Sequence, residues 1–164
     1  MPDLAWWLHN FKRSAFRLET LPEYHVPQEA GLLAAFKRGQ PIEVPDDHPW
    51  LFTVRRHCGA AKTMQRVRIV SSPLSDYERF ELALYRLSHS AGEDIRILTS
   101  VESRTFGDWW LFDGEAVFVL RYDATGRFLG TEQASDVVRY RRIRDLVLEN
   151  SIPFADFSAR ATRQ

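Results

Sequence analysis

Charged side chains alternate with aliphatic ones along two short segments that have the composition of strands. Arg66 and Arg68 occupy alternate positions in the first segment, and Asp94 and Arg96 do so in the second. Successive side chains of a strand point to opposite faces of a sheet, so each predicted strand has one apolar and one charged face. Arginines that line a cleft can bind an anionic ligand such as a phosphate or a carboxylate, with Glu81 or Asp94 orienting it.

A structural network of ion pairs is an equally good interpretation of these charges, with Glu81, Glu93 and Asp94 as partners of the arginines. The residue types do not separate the two interpretations. In the ligand-binding interpretation, nine residues are predicted to contribute polar groups to the site: Arg68, Ser72, Ser75, Tyr77, Arg79, Glu81, Asp94, Arg96 and Asp113.

A turn rich in hydroxyl groups separates the first charged strand from the helix that follows it. Ser75 has the residue type and position of a helix N-cap, with Asp76 and Glu78 in the first turn. Such a turn can bind phosphate at the helix N-terminus. The two acidic residues already occupy the favourable field of the helix dipole, so an ordinary capped helix is the preferred interpretation.

The elements that must position these residues form a strand–turn–helix–strand unit between Arg66 and Leu98. This order predicts a βαβ unit with two parallel strands. Its helix, Tyr77 to His89, has an apolar stripe that is expected to pack on the sheet. The stripe consists of Tyr77, Phe80, Ala83, Leu84 and Leu87.

Residue patterns in the rest of the chain predict further helices and strands around this unit. Helices are expected at 4–15, 27–37, 49–63 and 134–150, a short edge strand at 16–20, and strands at 109–112, 115–122 and 127–132. The predicted fold is therefore α/β or α+β, with a mixed sheet of about five strands flanked by helices.

The whole chain, 1–164, is predicted to be a single domain. A helical N-terminal part, about 1–63, is expected to pack on a sheet-containing part, about 64–155, and the last residues, 158–164, are expected to form a loose tail.

Composition narrows the function classes. Lysine plus arginine equals aspartate plus glutamate at 22 each, which disfavours attraction of the whole domain to nucleic acid or membrane. The only cysteine is Cys58, so no internal disulfide forms and a cytoplasmic location is expected. Four arginines between 139 and 144 make nucleic-acid contact a third choice that is not favoured.

Fingerprints of the common enzymes are absent from the sequence. It contains neither a phosphate-binding glycine loop nor a Gly-x-Ser-x-Gly elbow, and the five histidines are scattered. No metal ligand set and no cofactor site is predicted, and a non-enzymatic role is preferred.

The segment Phe106–Gly114 resembles a degenerate phospholipase D-like half-domain. Phe106, Asp108 and the Asp113-Gly114 pair have the spacing of the His-x-Lys-x4-Asp-Gly motif. The histidine and lysine positions are occupied by Phe106 and Asp108, so the resemblance implies a relative without that phosphohydrolase activity.

A second resemblance covers nearly the whole chain. The chain resembles an actinobacterial family of about this length, in which similar sequence blocks recur in the same order. These blocks include Phe16-Arg-Leu-Glu, Arg66-Val-Arg-Ile-Val, Pro73-Leu-Ser-Asp-Tyr and Trp110-Leu-Phe-Asp. Members are commonly encoded beside helix-turn-helix regulators of the XRE type and small companion proteins. The resemblance implies a place in a regulatory module.

Two function classes follow. The first is a non-catalytic regulatory or protein-interaction domain that binds a helix-turn-helix regulator or a companion protein through exposed aromatic residues, with Trp6 and Trp109 as candidates. The second is a small ligand-binding protein or enzyme that uses the arginine-lined cleft for an anionic ligand.

Overall fold

One open, mixed β-sheet of seven strands organises residues 1–161, which are the residues described by the computed structural model of the protein. The strands are β1 Ser14–Glu19, β2 Thr63–Ile69, β3 Asp94–Leu98, β4 Asp108–Phe112, β5 Ala116–Tyr122, β6 Phe128–Ala134 and β7 Ile152–Pro153. Their order across the sheet is β6-β5-β4-β1-β2-β3-β7. Neighbours β1, β2 and β3 are parallel, and the remaining pairs are antiparallel.

Helices cover both faces of this sheet. They are α1 Leu4–Asn10, α2 Ala30–Lys37, α3 Pro49–Gly59, α4 Asp76–Ser90, α5 Val137–Asn150 and α6 Phe154–Ala161, with short 3-10 helices at Pro27–Glu29 and Val101–Phe106. Helix α5 packs on one face, where Ile143 and Val147 contact the aliphatic side chains of the central strands. Helices α1, α3, α4 and α6 pack on the other face.

The predicted βαβ unit is present as β2–α4–β3, with β2 and β3 parallel. Its helix begins as the sequence indicates. The hydroxyl of Ser75 accepts a hydrogen bond from the backbone of Glu78, and the Glu78 carboxylate accepts one from the Ser75 backbone at 2.8 Å. This reciprocal capping box satisfies two backbone donors at the end of the helix.

The mixed sheet is confirmed, but the prediction of about five strands is too low, since the sheet has seven, and the short β7 was not predicted at all. The interpretation of residues 16–20 as an edge strand is wrong. Strand β1 pairs with β2 on one side and with β4 on the other, so it is central. It also lies within the part of the chain that the sequence assigns to helices.

The loose tail predicted from residue 158 onwards is corrected in part. Residues 158–161 belong to α6, which is anchored by the buried ring of Phe154 next to β3. Residues 162–164, the end of the predicted tail, lie outside the described residues.

Within the described residues, no helix is long and apolar enough to cross a membrane.

Candidate functional site

A cavity of about 490 Å³ lies between the charged face of the central strands and helices α2, α3 and α4. Its walls are mainly aliphatic and aromatic, and several charged groups face it from the sheet and from α4. The lining residues that matter most to its chemistry are Glu19, Glu29, His48, Trp50, Arg66, Glu81, Leu84, Tyr85, Ser88 and Trp110.

Arg66 on β2 lines the cavity from the sheet side, which we call its floor. Its guanidinium donates to two buried carboxylates: Nε donates to Glu93 at 2.7 Å, and Nη1 donates to Glu19 on β1. The hydroxyl of Tyr85 on α4 donates to the same Glu19 oxygen at 2.6 Å. The hydroxyl of Ser88 donates to Glu93. The floor is therefore a network that ties β1 and β2 to helix α4.

A second ion pair lies beside the first. Arg68 is fully buried, and its Nε donates to Oε2 of Glu81 at 2.7 Å, with Nη2 at 2.6 Å from the same oxygen. Its Nη1 donates to the backbone carbonyl of Ile69 at 2.8 Å. Arg68 therefore holds Glu81 in place from beneath the cavity.

Burial and charge move the pKa values of the two cavity glutamates in opposite directions. Burial acts to raise the pKa of Glu19, but the charges of Arg66, Arg17 and Arg68 outweigh it and hold that pKa at about 2. Burial raises the pKa of Glu81 to about 8, and the attraction of Arg68 offsets this only in part. Glu19 has several cationic neighbours and Glu81 has one direct partner, which explains why the two acids differ.

The rim of the cavity adds a third acid and a histidine. Glu29 accepts a hydrogen bond from the hydroxyl of Tyr77 at 3.0 Å, and burial raises its pKa. His48 precedes α3, and its Nδ1 is buried and makes no hydrogen bond with the described residues.

Helix α4 supplies one wall because its buried side differs from the predicted one. Tyr77, Glu81, Tyr85 and Ser88 recur at spacings of three and four, so they share one side of the helix, and all are buried. Within the predicted apolar stripe, Leu84 and Leu87 line the cavity and Phe80 packs against Phe36 of α2. The helix thus directs its polar residues towards the charged face of the sheet.

Three of the nine predicted site residues meet at this cavity. Glu81 lines it, Arg68 binds Glu81, and Tyr77 binds Glu29 at the rim. Ser72 and Arg79 instead line a separate cavity of about 560 Å³ beyond the carboxyl ends of β2 and β3. There Arg79 forms an exposed ion pair with Asp76 at 3.3 Å. Ligand binding by any of these residues stays a prediction.

The other four predicted residues are separated from the cavity and have partners of their own. Ser75 caps α4, and Asp94 accepts from Gln65 at 2.6 Å on the surface. Arg96 lies on the opposite face of the sheet from Arg68, because it pairs in register with Val67, and it donates to Ser151. The convergence of Arg68 and Arg96 on one cleft is therefore not found.

Asp113 links the β4–β5 turn to the chain before β1. Its carboxylate accepts backbone hydrogen bonds from Lys12, Arg13 and Ser14 at 2.6–2.9 Å. Asp108, at the other end of β4, is buried and binds Arg17 and Tyr24. The acidic residues of the Phe106–Gly114 segment thus stabilise the fold through these hydrogen bonds.

The two candidate partner-binding tryptophans differ in exposure. Trp6 on α1 is 45% exposed, as a surface contact requires. The prediction that Trp109 is exposed is wrong, since its side chain is 0% exposed. Its ring packs against Phe16 and Tyr140 under α5, and Nε1 donates to the Phe106 carbonyl at 3.1 Å.

Sequence reasoning missed Glu19, Glu29, Trp50 and Tyr85 as cavity residues. A signal for Glu19 was present, because Arg17 and Glu19 alternate with Phe16 and Leu18 in the same manner as the charges of β2. Glu29 and Trp50 lie outside the sheet, and no local pattern places them near it. Among residues 1–161, no group of three or more His, Cys, Asp and Glu side chains is arranged to hold a metal ion.

The chain belongs to a domain family that matches it over nearly its whole length. A family model described as "Domain of unknown function (DUF6879)" matches residues 2–159, which is nearly the whole chain. Comparison with curated proteins and with solved structures gives no match.

Proposed function

We propose that this domain binds a small organic ligand in the cavity between the sheet and helices α2–α4, as the sensing part of a regulatory module. The observation that carries this proposal is the convergence of buried, oriented polar groups on a cavity with apolar walls. Sites for small molecules commonly have this construction and a volume of roughly 300–1,000 Å³.

The network on the floor supports binding better than turnover. The carboxylate of Glu19 is engaged by Arg66 and Tyr85, and Glu93 is engaged by Arg66 and Ser88. Groups held in this way are rigid and preorganised, which lowers the entropic cost of fixing a ligand. The resemblance to proteins encoded beside XRE-type regulators supports a regulatory setting, in which occupancy of the cavity is communicated to a helix-turn-helix partner.

Filling the cavity is expected to abolish ligand binding. Leu84→Trp places a large ring in the cavity from α4, whereas Val138→Trp adds the same ring to an exposed position on α5. A thermal-shift screen with small aromatic compounds of each charge type should yield ligands that stabilise the wild type and Val138→Trp but not Leu84→Trp. Leu32→Trp, which enters from α2, repeats the test if Leu84→Trp does not fold. Equal stabilisation of a folded cavity-filled variant and the wild type would contradict the proposal.

A second candidate function is protein interaction through Trp6. The ring of Trp6 meets Trp7 edge-on at 5.3 Å, and Trp7 stacks on the buried ring of Phe112 at 5.8 Å. An exposed aromatic side chain that is supported in this way is typical of an interface anchor. The proposed partner is the helix-turn-helix regulator or companion protein.

Tryptophan-to-alanine variants separate the surface role from the core role. Trp6→Ala is expected to leave the free energy of unfolding within about 1 kcal/mol of the wild type and to abolish co-purification of the co-expressed regulator. Trp109→Ala is expected to lose about 3–5 kcal/mol, because it empties a core position. Undiminished co-purification with Trp6→Ala rules out this contact.

A further inference from the structure

We infer that the ligand of this cavity is a cation, an ammonium group attached to an apolar body. The inference rests on the proposed ligand-binding role of the same cavity and adds the chemical class of the ligand. Three observations support this inference. They are the charge balance of the buried groups, the hydrogen bonds that the arginines already make, and the free oxygen of Glu81.

Acidic groups outnumber basic ones around the cavity. The charged face of the sheet buries three guanidinium groups, those of Arg17, Arg66 and Arg68. It buries four carboxylates against them, which belong to Glu19, Glu81, Glu93 and Asp108. Glu29 adds a further acid at the rim. With Glu81 protonated in the empty cavity, as its raised pKa implies, the other three buried carboxylates balance the three guanidinium groups. A cationic ligand can take the place of the proton on Glu81, whereas an anionic ligand would add uncompensated negative charge.

The charge of each arginine is already compensated by a bound carboxylate. Arg66 donates to Glu19 and Glu93, Arg68 donates to Glu81, and Arg17 donates to Asp108 at 3.0 Å. An incoming phosphate or carboxylate could reach only Nη2 of Arg66, whose other nitrogens bind Glu19 and Glu93, and the negative charge of these two carboxylates would oppose it.

One carboxyl oxygen of Glu81 is free to contact a ligand. Both contacts of Arg68 go to Oε2, and Oε1 accepts no hydrogen bond from the described residues. Glu81 lines the cavity on the same helix as Leu84 and Leu87. A ligand ammonium beside Oε1 would therefore have aliphatic surface next to it for an apolar substituent. The rings of Trp50 and Tyr85 already lie against the Arg66 guanidinium, at 5.4 and 5.3 Å. Because these rings already contact a cation, the carboxyl groups are the groups that would bind the ammonium of the ligand.

Binding of a cation is expected to release a proton from Glu81. The charged and titratable groups that face Glu81 are Arg66 and Arg68 on β2, Glu19 on β1, and Tyr77 and Tyr85 on α4. Burial raises the pKa of Glu81 to about 8, so at pH 7 the carboxyl is largely protonated in the empty cavity. Affinity for a permanently charged cation should therefore rise with pH until Glu81 is ionised.

Benzyltrimethylammonium is a suitable probe because its charge does not titrate, and phenylacetate and benzyl alcohol are its anionic and neutral counterparts. Calorimetric titration of the full chain should show binding of the cation in preference to both counterparts. Its affinity should rise about fivefold from pH 7 to pH 8. Glu81→Gln should weaken binding about tenfold or more at pH 8 and remove the pH dependence. Glu115→Gln, at an exposed turn, should leave both unchanged.

The outcomes separate this inference from the proposal on which it rests. If benzyl alcohol or phenylacetate binds as well as the cation, and Leu84→Trp abolishes that binding, the cavity is a ligand site but the cationic class is wrong. If none of the three probes binds, both statements are wrong for ligands of this size. Should Glu81→Gln not fold, Glu29→Gln at the rim is expected to weaken cation binding alone, and unchanged affinity there contradicts the inference.

Discussion

Arg66→Met is expected to lower the free energy of unfolding by about 3–5 kcal/mol, because the variant leaves two buried carboxylates without their cation. Glu19 and Glu93 both bind the Arg66 guanidinium, and each is less than 10% exposed. Denaturant unfolding at neutral pH measures the loss.

Two further variants show whether the loss comes from the unpaired charges. Arg121→Met removes an exposed partner of Glu132 on the outer strands and should change stability by less than about 1 kcal/mol. In Arg66→Met combined with Glu19→Gln and Glu93→Gln, the uncompensated charges are absent, and part of the lost stability should return. A loss below about 1 kcal/mol for Arg66→Met alone would show that the network contributes little to folding.

The β2–α4–β3 unit was predictable because its signals are local. Alternating residues define the strands, and Ser75 with Glu78 defines the start of the helix. These patterns depend only on residues a few positions apart in the chain, so the strands and the helix that they predict also form in the folded protein.

Strand β1 was misplaced because its charged face is buried. Arg17 and Glu19 alternate with Phe16 and Leu18, a pattern that fits a strand with a solvated charged face as well as one whose charged face is buried. In the structure, Arg17 binds Asp108 and Glu19 binds Arg66, partners that lie 91 and 47 residues away. No local pattern reveals such pairing, and the same limitation made Trp109 look like an exposed aromatic residue.

The candidate site was only partly predictable for a related reason. Glu81 and Arg68 were singled out by their residue types, and they do meet. Arg96 was placed beside Arg68 on the assumption that the charged faces of both strands coincide. The register pairs Arg96 with Val67, which puts Arg96 on the other face. A shift of one residue in register exchanges the two faces of a strand, and register is set by packing across the sheet.

Stability should fall as the pH rises from about 5 to about 8, and Glu81→Gln should remove most of this fall. Burial raises the pKa of Glu81 from 4.5 to about 8 in the folded protein. Between these values the folded protein keeps a proton that the unfolded chain has released, so folding stability is fully present below pH 4.5 and is lost as the pH approaches 8. The expected loss is on the order of 3 kcal/mol.

Denaturant unfolding of the wild type, Glu81→Gln and Glu115→Gln between pH 5 and pH 8.5 tests this expectation. Glutamine mimics the protonated acid, so Glu81→Gln should match the wild type near pH 5 and exceed it in stability near pH 8. Glu115→Gln should follow the wild type throughout, since Glu115 is exposed. Glu19 acts in the opposite sense, because the cationic charge around it lowers its pKa to about 2 and its contribution is lost only as the pH falls towards that value. A wild-type stability that stays level up to pH 8 would mean that Glu81 is ionised in the folded protein and that Arg68 neutralises it fully.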